Sequence, residues 1–396
     1  MDLTSNFPYW TVVDGLPYTY PPLTSDLKAD AVVIGGGISG ALLAERLTSR
    51  GVDTVLLERR DIGHGSTSAS TALLQYEIDT PLARLRTLVA PAAAERAYLL
   101  GAESIARLQR LAGTTCGFSI RPSIQFASTQ REAARLEPEV KLRRAIGLPA
   151  SFLTTSDLRG MGIRAKAAIH STVAAEVDPY QLTHRLLQRS LRRGLRVFDQ
   201  TAAAGYTHTS RTVLVHTNRR HKIRCRAVFF ATGYETDDIL PRGIVNLQTT
   251  YALVTEPVEP GCLWKDRALL WGCSQPYSYA RTTPDHRVLF GGGDEAVREA
   301  AAREKRIPAK VKELERGMRR LWPGGRTETA FGWAGTFGST KDGLAYIGSH
   351  PAFPNAYFAL GFGGNGITFG EIAARVVTDL FLGRRNEDAR IFGFDR

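Results

Sequence analysis

Residues 29 to 59 read ADAVVIGGGISGALLAERLTSRGVDTVLLER, and this stretch decides the fold. Ala31 to Ile34 is a short apolar run suited to a strand buried on both faces, and Ser39 to Arg50 carries Leu42, Leu43, Ala44 and Leu47 at helical spacing. Gly51 closes the helix and Thr54 to Leu57 makes a second strand, which completes a βαβ unit. Inside it, Gly35, Gly37 and Gly40 form G-x-G-x-x-G, and Glu58 follows 18 residues after the last glycine. The first glycine makes a tight turn, the second lets backbone approach a pyrophosphate, and the third lets helix and strand pack closely. The helix start offers free N–H groups and partial positive charge to phosphates. Glu58, at the tip of the second strand, can accept hydrogen bonds from ribose hydroxyls and disfavours a 2′-phosphate. A dinucleotide site is therefore expected here.

Working outward, residues 63 to 74 read GHGSTSASTALL. A hydroxyl run behind a strand that ends in an acid is a solvated loop, a helix start or a phosphate cradle. A second piece, EVDPYQLTHRLLQRSLRRGLRVFD at 176 to 199, offers Asp178 as N-cap, Pro179 at the first helical position, and Gly194 as the stop. Short strands follow in TVLVHTN and KIRCRAVFFATGYET, the last ending in Ala231, Thr232 and Gly233. Near the C-terminus, Tyr357 to Leu360 reads as a strand, Gly361 to Gly366 as a glycine-rich turn, and Ile367 to Leu382 as a helix. Between these pieces lie a helical stretch from about 90 to 113, a strand in GFSIRPSIQFAS and a helix over 129 to 146. A strand-rich region follows from 246 to 295, and a charged helix near 296 to 321.

At 396 residues the chain exceeds the size at which one core keeps growing, so two substructures are expected. The basic excess of 51 against 39, a net +12, fits an anionic substrate, nucleic acid or an acidic membrane. No run of five like charges occurs, and the arginines of stretches such as KLRRAIG read first as a solvated face. Four cysteines, at 116, 225, 262 and 273, show no zinc spacing, so no metal site is expected. Scattered thiols, no signal-peptide pattern and no apolar run of membrane-spanning length point to a cytoplasmic protein.

The three pieces in this order, with D-G-x-x-Y-I-G at Asp342 to Gly348, Pro8-Tyr9-Trp10 and LFGGGDE at 289 to 295, resemble the FAD-dependent D-amino-acid oxidase family. The likeness is to the branch holding glycine oxidase, sarcosine oxidase and γ-glutamylputrescine oxidoreductase. It implies an α/β chain with an α+β insert, a Rossmann-like FAD-binding domain and an interleaved antiparallel-sheet substrate domain. The expected division is 1–90, 165–245 and 330–396 for FAD, and 91–164 and 246–329 for substrate. It implies FAD held by the fingerprint residues Gly35, Gly37, Ile38, Ser39 and Gly40, by Glu58 and Arg59, and by Ser66, Thr67, Ser70, Thr71 and Leu73. Ala203 and Gly233 join them, and Gly364, Asn365, Gly366, Ile367 and Thr368 close the site at a helix start. N–H groups of Gly364 to Ile367 would stabilise negative charge on the reduced ring.

Departures from the family pattern bear on chemistry. Where glycine-oxidase-type relatives carry an arginine that clamps a substrate carboxylate, counting back along TFGSTKDG reaches Phe337. Where sarcosine-oxidase-type relatives carry a lysine that assists oxygen, Val288 stands. In relatives with covalent flavin a histidine sits two residues after G-S-T, and that count lands on Ala69, whereas His64 precedes the motif. Noncovalent FAD is thus expected, with O2 or another carrier as electron acceptor. Tyr251, Tyr277 and Tyr279 either line the flavin face or pack within the sheet; Glu77 either attracts an ammonium group or is a surface carboxylate or part of a helix salt bridge. Arg281 braces the sheet and Lys341 is exposed on the same reading. The expected activity is oxidation of the C–N bond of a small amine or N-substituted amino compound to an imine, with Tyr251, Tyr279 and Glu77 as catalytic candidates. The alternatives are a flavoprotein that modifies aminomethyl groups of tRNA, against which no RNA-binding module is appended, and a C–O dehydrogenase of a phosphorylated alcohol.

Overall fold

The computed structural model describes residues 2–209, 212–235, 243–274, 277–297, 299–325 and 328–396. Its organising element is a six-stranded sheet gathered from remote parts of the chain. Across it run Tyr346–Ser349, Ala356–Leu360, Ala227–Phe230, Ala31–Ile34, Thr54–Leu57 and Arg196–Phe198. All pairs are parallel except the Tyr346–Ser349 edge. Val32, Val33, Val55, Leu56, Val228 and Phe229 are buried, as strands covered on both faces require. One face is covered by the helices Ile38–Thr48, Pro91–Ala112, Pro179–Leu191 and Gly366–Phe381. The other carries a four-stranded sheet, whose Val213, Val215 and Ile223 pack on Val32, Val55 and Phe358.

Local sequence explains most element ends. Asp178 accepts from the N–H groups of Tyr180 and Gln181 and starts Pro179–Leu191, and Thr129 with Glu132 forms a capping box for Gln130–Ala145. The fingerprint helix begins one residue earlier than its apolar spacing implies and ends at Thr48, with Gly51 in the left-handed region at φ 75°. The stretch from 222 to 236 divides at Arg226 into Lys222–Cys225, which alternates exposed and buried, and Ala227–Phe230, which is buried throughout. These lie in different sheets, and Thr236 is outside the described residues. The charged helix spans Ala300–Leu321, shorter than the expected 296 to 321, and residue 298 is outside the described residues.

The second body is a ten-stranded mixed sheet. It corrects the expected domain segments. Leu73–Gln75, Ala167–Glu176 and Thr329–Ser339 belong to this sheet, although most of their residues were assigned to the FAD domain. Conversely, Pro91–Ala112, expected in the substrate domain, packs on Gly366–Phe381, because Ala97, Leu100, Ile105 and Leu108 share a buried core with Ile372 and Val376. Ala300–Leu321 covers one face of the large sheet through Ile307, Leu314 and Met318. The opposite face is turned toward the parallel sheet and the cavity between them. Among the described residues no helix is long and apolar enough to cross a membrane.

Candidate active site

The fingerprint turn is a set of backbone contacts that no side chain tolerates. A Cβ on Gly35, at φ 110°, would lie 2.4 Å from the Ala231 carbonyl oxygen, and one on Gly40 would lie 1.9 Å from the Gly35 oxygen. Turn, helix and third strand therefore touch main chain to main chain, with Gly40 packed beneath the site rather than lining it. Helix Ile38–Thr48 starts at Gly37 without a cap from its own chain segment. The Thr67 hydroxyl accepts from Ile38 N–H at 2.9 Å instead, while the Ser39 and Gly40 N–H groups, in the first turn, have no acceptor within the helix. Glu58 accepts from the N–H groups of Gly36 and Arg60 at 2.7 and 2.8 Å, which fixes its carboxylate on the cavity wall with lone pairs to spare.

Ser66–Ala69 forms a single helical turn. Its N-cap is Gly65, with no side-chain cap, so the local hydroxyls do not cap this turn. They are used elsewhere: Thr67 caps the fingerprint helix, Ser66 donates to the Thr336 carbonyl, and Ser70 accepts from Ala72 N–H. The backbone end of the turn is held by two indoles, Trp10 to the Ser70 carbonyl and Trp333 to the Ala69 carbonyl. Arg281, expected to brace the sheet, is fully buried and donates to the carbonyls of Thr71, Ala72 and Val177, so it braces the loop after this turn. Ser66, Thr67, Ala69, Ser70, Thr71 and Leu73 all line the cavity. His64 does not; its Nε2 is 3.1 Å from the Tyr180 hydroxyl.

The second helix start lies beside the first. Gly370, in the second turn of Gly366–Phe381, would place a Cβ 3.2 Å from Ser39 Oγ, so two helix N-termini converge on one space. Four N–H groups were expected to face it from Gly364 to Ile367. Gly364 N–H instead donates to Asp79 at 2.8 Å and Asn365 N–H to the Phe362 carbonyl, which leaves Gly366, Ile367 and Thr368 with the unpaired first-turn donors. Asn365 adds a side-chain bond to the Glu77 carbonyl at 2.8 Å, which ties the turn to the wall opposite.

One cavity of about 640 Å³ joins these parts. Glu58, Arg59, Ala203 and Gly233 line one end, and Gly364 to Thr368 line the middle. At the far end stand Gln75, Glu77, Asp79, Thr250, Trp271, Tyr277, Tyr279, Asp294 and Phe337. Tyr279 lies across Gly291, where a Cβ would meet its ring at 2.2 Å, and its hydroxyl is 2.9 Å from Thr250 Oγ1. Tyr277 donates to the Asp79 carbonyl at 2.7 Å.

Tyr251 is a correction. Side chains alternate along a strand, and on Asn246–Thr255 it is Thr250 that faces the cavity. Tyr251 points to the other side, where its hydroxyl meets Glu295 and the Lys310 ammonium lies over its ring. Val288 is likewise buried beneath Ala300–Leu321, and Lys341 is exposed in its turn. Glu77 is neither a surface carboxylate nor absent from the site. It is 3% exposed, takes a hydrogen bond from Ser123, lies 3.7 Å from the Arg143 guanidinium, and lines the cavity.

Burial raises the pKa of Glu77, opposed by Arg143, and raises that of Asp79, opposed by the Gly364 N–H. Asp294 is pushed up to about 6, first by burial and further by the charge of Asp79, while Thr250 and Lys310 pull the other way. Sequence reasoning missed Asp79, Asp294, Thr250 and Trp271. Asp79 stands two residues after Glu77, and Asp294 directly follows the glycine triplet, so position beside recognised motifs was the available signal.

The donor set fits a flavin dinucleotide. Two helix starts with free first-turn N–H groups line one cavity, Glu58 stands where a ribose is held, and the buried Thr232 hydroxyl has no partner among the described residues. Fold and site thus define a dinucleotide-dependent oxidoreductase. A family model described as FAD dependent oxidoreductase matches residues 30–380, and the chain belongs to that family; its cofactor is FAD. It is 24% identical over 383 residues to glycine oxidase of Geobacillus kaustophilus, covering 89% of this chain and 93% of that one. It is 22% identical over 376 residues to γ-glutamylputrescine oxidoreductase of Escherichia coli, covering 92% and 86%. The crystal structure of the Geobacillus glycine oxidase superposes with a TM-score of 0.75 at 21% identity, over 91% of this chain and 96% of that one.

Proposed function

We propose that the protein oxidises the C–N bond of a small amine or N-substituted amino compound to an imine, which water hydrolyses. The observation that carries this reading is the wall opposite the C-terminal helix start, where Glu77 lines the cavity and its buried Oε2 has no hydrogen-bond partner among the described residues. An amine nitrogen is the natural complement of such an atom. Bound FAD supplies the two-electron acceptor. The chain's own residues bind and orient: Tyr277 and Tyr279 shape the chamber, Thr250 and Tyr279 offer a paired hydroxyl donor and acceptor, and Glu77 and Asp79 hold the nitrogen end. Gly366, Ile367 and Thr368 direct N–H groups and the helix dipole toward developing negative charge. Phe337 on the wall leaves that position without a carboxylate clamp. Because Val288 is buried away from the cavity, O2 and another carrier are both open as acceptors.

The test is an anaerobic screen of amines, amino acids and hydroxy acids for bleaching of the flavin's visible absorption, followed by admission of air to time reoxidation. Amines are expected to bleach it. Bleaching by hydroxy acids and not by amines overturns the reading in favour of C–O oxidation.

A further inference from the structure

Asp79 and Asp294 reach the far end of the cavity from different elements. Asp79 follows the strand Leu73–Gln75, and Asp294 lies in Val288–Glu295. The charge of Asp79 reaches Asp294, and both act on Tyr279. Neither has an ion-pair partner among the described residues. Lys310, whose charge reaches Asp294, is bound to the Gly293 carbonyl at 2.9 Å and shared with Glu295 and Glu313 at 3.8 and 3.3 Å. Arg143, beside Glu77, is held by Glu139 at 2.9 Å. The Glu77 side chain is almost completely buried, and among the described residues neither its Oε2 nor the buried Asp294 Oδ1 has a hydrogen-bond partner. Among the described residues lining this end there is no lysine or arginine. Three carboxylates thus face one chamber with less than their share of positive charge.

We propose that Glu77, Asp79 and Asp294 form the specificity site for an alkylammonium group and select amines that lack an α-carboxylate. This rests on the amine reading above and narrows it. A cationic head group supplies the charge the chamber lacks, and partial desolvation strengthens the attraction. An amino acid brings its own carboxylate into the same space, where it meets like charge with no arginine to receive it.

The experiment uses the FAD-loaded enzyme, oxidised and anaerobic, and reads binding from the perturbation of the flavin spectrum before any reduction. The probes are n-butylamine and 2-aminopentanoate, which differ by one α-carboxylate. Wild type is expected to bind n-butylamine about tenfold or more tightly than 2-aminopentanoate, and Asp294→Asn and Asp79→Asn each to weaken n-butylamine by about tenfold or more. The preference should grow as pH rises through about 6, where Asp294 ionises against Thr250, Tyr279, Asp79 and Lys310, and Asp294→Asn should flatten that rise. Equal or tighter binding of 2-aminopentanoate by wild type overturns the proposal, and so does an unchanged preference in both variants. Bleaching is scored separately. A preference for n-butylamine with no bleaching by it supports the site and counts against amine oxidation.

Discussion

At the residue scale, position along a strand decides what a side chain can do. Thr250 and Tyr251 are neighbours in sequence, yet one faces the cavity and the other sits under Lys310. Asp294 shows how such placement sets stability. Its pKa rises from 3.8 to about 6 on folding, so the native state binds the extra proton between those values. The favourable contribution is present below the unfolded value and is lost as pH rises through about 6. Asp294→Asn in the FAD-free protein is therefore expected to raise the melting temperature at pH 7 and to have little effect near pH 4. A variant less stable than wild type at pH 7 contradicts the assignment. The same result separates binding from folding, because a better-folded Asp294→Asn protein that binds amine poorly has lost a charge and not a structure.

At the scale of elements, the short turn Ser66–Ala69 illustrates how a weak local structure is held. Four helical residues do not stabilise themselves. Trp10, Trp333 and Arg281 grip the carbonyls that follow, and they come from the N-terminal helix and two strands of the large sheet. Arg281 is buried against Glu176 at 3.6 Å, so Arg281→Met takes one of the two arginines from that carboxylate, which keeps Arg121, and leaves three carbonyls without their donor. The expected cost is about 3–5 kcal/mol. Amide hydrogen exchange should rise first between residues 66 and 75, and flavin affinity should fall with it. Protection that is lost uniformly along the chain contradicts a local bracing role.

At the scale of the molecule, the cavity lies where two sheets and two helix starts meet, so a cofactor bound there would couple them. FAD at about 100 times its dissociation constant adds about 2.7 kcal/mol to stability. Ala69 lines the cavity where a covalent histidine would stand, and His64 is engaged by Tyr180 outside it. Acid precipitation is expected to leave the flavin in the supernatant, and yellow precipitate contradicts noncovalent attachment. Much of this architecture was legible in the sequence because its signals are local. Glycine spacing, apolar runs and the stop at Gly51 mark the βαβ unit, Asp178 marks the start of Pro179–Leu191, and the turn at 361–366 marks the second helix start. These depend on backbone sterics and periodicity within a few residues. The domain borders, the inward face of Asn246–Thr255 and the meeting of Glu77, Asp79 and Asp294 were not legible. They depend on pairing between segments that are not neighbours in the chain, and a strand's own alternation names two faces without saying which is turned inward. The sequence by itself determined that the chain holds a dinucleotide; the tertiary structure decided which charges surround the space beside it.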